Sequence, residues 1–117
     1  MSQQITLARA VQMTTIYRGK RGEILKPAYP TDVLPICETF HKKDIQRVLD
    51  QSTCVSFRVY YGMDESDLIH AIFVGVDANG DDILPPPQGT VGGDEGILID
   101  DGQRCPTSCP PASPLNS

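Results

Sequence analysis

Two strand-like segments separated by a short turn constrain the fold more than any other feature of the chain. In CVSFRVYYG, residues 54–62, every second residue from position 55 is β-branched or aromatic, which is the period of a strand. LIHAIFVGV, residues 68–76, is apolar at nearly every position, which is typical of a strand covered on both faces. The intervening GMDESD is rich in turn formers. We therefore predict an antiparallel hairpin over residues 54–76.

Two segments before this hairpin have helical spacing. Residues 3–17 repeat apolar side chains at helical intervals, and Gly19 follows at a position where a left-handed cap would end the helix. Residues 38–51 repeat the pattern and predict a second helix. The expected fold is α+β, a small antiparallel sheet built on the hairpin with two helices on one face.

Composition changes abruptly after Leu84. Residues 85–117 hold seven of the ten prolines and five of the ten glycines, a composition that builds no regular structure of its own. We therefore divide the chain into a single α+β domain over residues 1–84 and an extended, irregular tail over residues 85–117. The apolar run GILID predicts an edge strand within that tail, near residues 97–99.

Charge is distributed unevenly along the chain. Residues 1–58 have a net charge of +4 and residues 59–117 a net charge of −9, within a total of −5. Nucleic-acid-binding proteins present a broad basic surface, whereas the only basic cluster here is Arg18, Lys20 and Arg21. We expect no nucleic-acid partner.

The first twenty residues lack the basic start and apolar core of a secretory signal, and no stretch approaches the ~20 apolar residues of a membrane span. We expect a cytoplasmic protein with no membrane partner. Its four cysteines are then expected to be reduced unless they hold metal or cycle. Cys37 and Cys54 lie in apolar or strand-like stretches and are interpreted as core thiols.

The other two cysteines lie in CPTSCP, residues 105–110. This short motif is similar to the copper-binding motif of the Sco family, thioredoxin-fold proteins that deliver copper to cytochrome oxidase. The resemblance implies that Cys105 and Cys109 are copper ligands or a redox pair, with His70 or His41 as the third ligand. In that family the motif lies between a strand and a helix, whereas here only eight residues follow Cys109, three of them prolines. A stiff structural tail is the alternative, and a four-cysteine zinc site would need a second close pair.

The turn from Tyr60 to Glu65 and the ending from Cys105 to Asn116 resemble those of a group of small bacterial proteins. These share a Y-Y-G-M-D-E-type turn and a C-P-x-x-C-P-x-x-S-P-L-N ending, which together cover only part of the chain. No function is attached to that group, so the resemblance implies none.

Three further polar features have a structural explanation. DANGDD, residues 77–82, has oxygen ligands at alternate positions, but its Asn-Gly is typical of a hairpin turn. RGKRG, residues 18–22, lacks the strand before and helix after of a phosphate-binding loop. His70 shares a strand face with apolar side chains and is interpreted as a packed histidine. No nucleophile, base and orienting acid stand at recognisable spacing, so we predict no catalytic residues.

Two functions of different classes remain. The first is a non-enzymatic interaction or accessory protein without a cofactor, which uses its tail to bind a protein partner or associates with itself. Its predicted anchors are Ile97, Leu98, Ile99 and Leu115. The second is a thiol-redox or metal-binding protein, for copper or zinc, through Cys105 and Cys109. We prefer the first because no catalytic or metal-binding set assembles in the sequence.

Overall fold

The computed structural model describes residues 2–85 and 96–117, so the first part of the predicted tail, residues 86–95, lies outside the described residues. Within these described residues, the architecture comprises two helices, a three-stranded sheet and a two-stranded sheet, both antiparallel. This confirms the predicted α+β class. The elements are α1 (Leu7–Lys20), a 3₁₀ turn (Thr31–Val33), β1 (Cys37–Thr39), α2 (Lys42–Leu49), β2 (Ser56–Met63), β3 (Ile69–Val76), β4 (Leu98–Ile99) and β5 (Gln103–Cys105).

The predicted hairpin is formed by β2 and β3, which pair along the full eight residues of each strand. Its turn is organised by Asp64, whose Oδ1 accepts hydrogen bonds from the N–H groups of Ser66 and Leu68. Asp67 has a φ of 65°, in the left-handed region that Asp tolerates better than most residues. The strand signals in the sequence are therefore confirmed.

The second helix is shorter than predicted. It covers Lys42–Leu49 rather than residues 38–51, because Cys37–Thr39 pairs with the tail as β1. His41, with an extended backbone, is the N-cap residue. Tertiary pairing thus overrides helical propensity at this end. Val48 is fully buried, and α2 packs against the three-stranded sheet.

The first helix is shifted towards the C-terminus relative to the predicted residues 3–17. Thr6 caps it by accepting a hydrogen bond from the N–H of Arg9. The predicted cap at Gly19 is wrong, because the N–H of Arg21 still bonds to the carbonyl of Tyr17 and the helix continues to Lys20. Although both helices were expected on the sheet, α1 buries no residue and makes no contact with it comparable to that of α2.

Both sheets include strands from the tail. β4 pairs with β3, and β5 pairs with β1. The chain end is tied to α1, where the guanidinium of Arg18 donates to the carbonyls of Leu115 and Ser117. The domain boundary at Leu84 stays a prediction, and the structure adds that tail strands complete both sheets.

The most buried apolar side chains come from several elements. They are Val33, Val48, Val74, Val76 and Cys105. One of them, Cys105, belongs to the tail, which therefore contributes to the core.

Candidate functional site

The two outer edges of the β2–β3 hairpin can be assigned from its hydrogen-bond register. In an antiparallel pair, alternate residues direct their N–H and C=O groups to the partner strand, and the others direct them outward. Asp64 donates its N–H to the carbonyl of Leu68 over 3.0 Å, and this pair continues the β2–β3 register. Even-numbered residues therefore bond across the hairpin, and odd-numbered residues point their backbone groups to the outer edges.

At one end of the outer edge of β3, two buried charged side chains bond to the outward backbone groups of the strand. Arg104 Nε donates to the carbonyl of Ile69 over 2.9 Å, and Glu38 Oε1 accepts the N–H of Ala71 over 2.8 Å. Arg104 and Glu38 stand directly opposite each other in the β1–β5 ladder. The two-stranded β1–β5 sheet therefore holds one hydrogen-bond acceptor, Glu38, and one donor, Arg104, against the outward backbone groups of β3.

The guanidinium of Arg104 has further backbone partners. Its Nη2 donates to the carbonyls of Asp32 and Val33 over 2.8 and 3.0 Å, and the residue is 8% exposed. Three chain segments are thus fixed by one side chain. Because buried donors and acceptors are costly to leave unpaired, we expect Arg104 to be essential for the fold.

The rest of the β3 edge is closed by backbone. Phe73 pairs with Ile99 of β4, and the carbonyl of Gly75 accepts the N–H of Ile83 over 2.8 Å. Each outward residue of β3 therefore has a hydrogen-bonding or ladder partner.

The outer edge of β2 has no such cover from the part of the chain that the structure describes. β2 is the terminal strand of its sheet, and its outward backbone groups have no partner in residues 2–85 and 96–117. We call this the β2 edge and define it by its four outward residues: Phe57, Val59, Tyr61 and Met63. Natural proteins usually shorten, charge, bulge or cover such an edge.

The side chains along the β2 edge are mostly apolar or aromatic and exposed. Tyr61 is 78% exposed, and Phe57, Met63 and the neighbouring Tyr60 are also among the exposed large side chains. Arg58 is the only charged residue of β2. The edge is therefore long, apolar and poorly protected by charge.

Arg58 is engaged within the same hairpin. Its Nη1 lies 2.5 Å from Oδ1 of Asp82, and the hydroxyl of Tyr60 donates to Oδ2 of Asp82. The hydrogen bond from Tyr60, and then that from Arg58, lowers the pKa of Asp82. The bond to Asp82 raises the pKa of Arg58. The charge of Arg58 is thus balanced by Asp82, which weakens its effect on an approaching strand.

A histidine and three carboxylates meet near the hairpin turn. His70 Nε2 lies 2.7 Å from Asp64 Oδ2, and Nδ1 lies 3.9 Å from both Glu38 Oε2 and Asp100 Oδ1. The N–H of Leu68, and then the ring of His70, lower the pKa of Asp64. Among the described residues, no group of three or more His, Cys, Asp or Glu side chains is arranged to hold a metal ion. We therefore read this cluster as an electrostatic contact between the turn and the small sheet.

Three of the four cysteines converge on the β1–β5 ladder. Cys105 and Cys109 are joined by a disulfide, and Cys37 stands directly opposite Cys105. This differs from the expectation that the cysteines are reduced. Cys105 is 4% exposed whereas Cys109 is exposed. Cys54 makes a separate contact, where its thiol donates to the carbonyl of Ser56.

The residues predicted from the sequence occupy separate places. Cys105 and Cys109 are together. Of the two candidates for the third ligand in the copper interpretation, His70 pairs with Asp64 and His41 is the N-cap residue of α2. Of the predicted tail anchors, Leu98 and Ile99 form β4 with Ile97 beside it, and Leu115 lies near the C-terminus. Leu98 and Leu115 are exposed, and their binding of a partner stays a prediction.

Sequence reasoning missed the β2 edge as a candidate site. Its signal was present in the alternation that predicted the strand, because that pattern includes aromatic residues and a single charge. Which edge the tail covers is a tertiary property, and no local pattern reports it.

Comparison with known proteins adds no family: no family model matches, and neither the curated proteins nor the solved structures contain a significant match. Within the described residues, no helix has the length and apolar character needed to cross a membrane.

Proposed function

We propose that the protein is a non-enzymatic assembly module that associates with a second copy of itself through the β2 edge. The contrast between the two sheet edges supports this proposal. Each outward residue of β3 has a partner, whereas the outward groups of β2 have none among the described residues. An open apolar edge strand is a template for pairing with another strand.

The residue pattern of β2 suits antiparallel pairing with itself. When two copies of β2 pair, a residue whose backbone groups point outward must stand opposite another such residue. A two-fold axis through Tyr60 meets this condition, because it places odd-numbered residues opposite odd-numbered residues. Val59 of one copy then stands opposite Tyr61 of the other, and Arg58 stands opposite Gly62. Aromatic and β-branched pairs stabilise a sheet, and like charges placed opposite each other would destabilise it. This arrangement brings no like charges together and satisfies both copies equally.

The tail has an intramolecular role in this proposal. It supplies Arg104, β4 and β5, which support or cover the β3 edge. Self-pairing is thereby directed to β2, at the opposite edge of the same hairpin. The tail thus selects the interface and need not itself be the ligand.

The test is sedimentation of the full chain across micromolar concentrations, comparing wild type with Tyr61→Lys. Lysine is a common protecting residue on natural edge strands, and the exposed position accepts it without a core cavity. Ile24→Lys is the matched control, because Ile24 is a 70% exposed apolar residue outside the sheet. We expect wild type and Ile24→Lys to dimerise and Tyr61→Lys to remain monomeric.

Two results would contradict the proposal. Wild-type protein that stays monomeric throughout the range has no self-association through β2. Tyr61→Lys that dimerises like wild type places the interface elsewhere. Circular dichroism of each variant confirms that the comparison is between folded proteins.

A further inference from the structure

A second site lies in the β1–β5 ladder and does not depend on the β2 edge. We propose that Cys37, Cys105 and Cys109 form a thiol–disulfide exchange centre. In this centre the disulfide moves from the Cys105–Cys109 pair to the Cys37–Cys105 pair and leaves Cys109 as an exposed thiol. The thiol that results is suited to react with an external disulfide.

The ladder geometry carries this inference. Directly opposite residues of an antiparallel pair have Cα atoms about 4.5–5.5 Å apart and side chains on the same face. Disulfides form across Cα separations of about 4.4–6.8 Å. Cys37 and Cys105 are directly opposite, so the strands already hold them at a distance that a disulfide can span.

The neighbouring pair in the ladder keeps this geometry in place. Glu38 and Arg104 are next to the two cysteines and are also directly opposite. Both are fixed on β3, through the N–H of Ala71 and the carbonyl of Ile69. The two strands therefore cannot separate at Cys37 and Cys105 without breaking buried hydrogen bonds.

The exchange is balanced without an added oxidant or reductant. The thiol of Cys37 gives its proton to water, and the thiolate attacks Sγ of Cys105. The bond between Cys105 and Cys109 breaks as the bond between Cys37 and Cys105 forms. Cys109 leaves as a thiolate and takes up a proton from water. One disulfide is exchanged for another, as in ordinary thiol–disulfide exchange.

The two tail cysteines differ in solvent exposure, and this difference indicates which of them would react with an external disulfide. Cys105 is buried within β5, whereas Cys109 and the neighbouring Ser108 and Pro110 are exposed. The released Cys109 thiol, after it gives its proton back to water, can attack an external disulfide as a thiolate, form a mixed disulfide with one half and expel the other half as a thiolate. The site would thus take disulfide-bearing ligands, for which glutathione disulfide is the simplest probe.

Disulfide mapping by mass spectrometry tests the central step. The full-length Cys109→Ser variant is oxidised with glutathione disulfide, its free thiols are alkylated, and its peptides are analysed. We expect the Cys37–Cys105 peptide pair as the main intramolecular product. The matched control, Cys37→Ser with Cys109→Ser, retains Cys54 and Cys105 and is expected to form no intramolecular disulfide.

The proposal is overturned if Cys109→Ser forms only separate glutathione adducts, or if Cys105 links to Cys54 as readily as to Cys37. Wild-type protein gives a test that needs no substitution. Incubated at mildly alkaline pH without added thiol, it should yield the Cys37–Cys105 pair together with alkylated Cys109. Its complete absence there would also overturn the proposal. None of these outcomes depends on whether the protein dimerises.

Discussion

The two outer edges of the β2–β3 hairpin differ in how they are covered. The β3 edge is closed by two charged side chains and a short strand from distant parts of the chain, and by the loop that directly follows β3. The β2 edge has an exposed row of apolar residues and no cover from the described residues. In the proposed function, this difference means that contacts from the tail leave β2 as the edge that pairs with a second copy.

The largest expected effect comes from removing the side chain that closes the β3 edge. Arg104→Ala leaves the carbonyls of Ile69, Asp32 and Val33 without their donor. Leaving a buried hydrogen-bond acceptor unpaired costs about 1–3 kcal/mol, and this substitution leaves three of them. Urea unfolding measures this loss of unfolding free energy. Arg47→Ala, at an exposed position of α2, is the control and should change it by no more than about 0.5 kcal/mol.

An Arg104→Ala variant as stable as Arg47→Ala would contradict the assigned role. It would mean that the tail lies on the β3 edge without stabilising it.

A smaller effect is expected for the acidic partner in the same ladder. Glu38→Ala leaves the N–H of Ala71 unpaired in a region where the Glu38 side chain is only 7% exposed. Loss of a buried hydrogen-bond partner costs about 1–3 kcal/mol. Glu38→Gln keeps an oxygen acceptor and should lose less. Thermal unfolding of both, with the exposed Glu65→Ala as control, distinguishes the hydrogen bond from a general effect of charge.

Equal destabilisation by Glu38→Ala and Glu38→Gln would shift the explanation from the bond with Ala71 to the carboxylate charge. The nearby ring of His70 would then be the first partner to test.

The smallest effect concerns the charge balance beside the β2 edge. Asp82 has a lowered pKa in the folded protein because it accepts hydrogen bonds from Tyr60 and Arg58. Its carboxylate therefore stabilises the fold above the unfolded pKa of about 3.9, and this contribution is lost as pH falls through the lower folded value. Asp82→Asn should flatten the acid part of the stability profile.

Thermal midpoints between pH 2 and pH 7 provide the measurement. Asp81→Asn, a change at the adjacent exposed residue, should keep the wild-type slope. A profile for Asp82→Asn that follows wild type at every pH would contradict the assignment. Asp64, whose pKa is also lowered, retains its own contribution in both variants.

Local pattern was sufficient to predict the hairpin and the presence of α2, although the predicted helix was longer than the observed one. Period-two alternation in β2 and the apolar run in β3 depend on short-range geometry. The start of α2 was not predictable in this way, because Cys37–Thr39 pairs with a strand far along the chain. Helical propensity depends on local sequence, so it contains no information about a distant strand that pairs with the same residues.

The contacts that define the candidate sites are long-range. Glu38 reaches Ala71 across 33 positions, and Arg104 reaches Ile69 across 35. The composition of the tail gave no sign that Arg104 and Cys105 would be buried. Equally, nothing in either segment alone indicates that Cys37 faces Cys105.

Residue-specific amide hydrogen exchange, followed by NMR at low and high protein concentration, tests the contrast between the edges most directly. We predict that the Ala71 amide is protected at both concentrations, because Glu38 accepts its hydrogen bond. The outward amides of the β2 edge should exchange rapidly in dilute protein and become protected as concentration rises. Rapid exchange at both concentrations would contradict self-pairing of β2. Protection in dilute, monomeric protein would show that the edge is already covered within one chain.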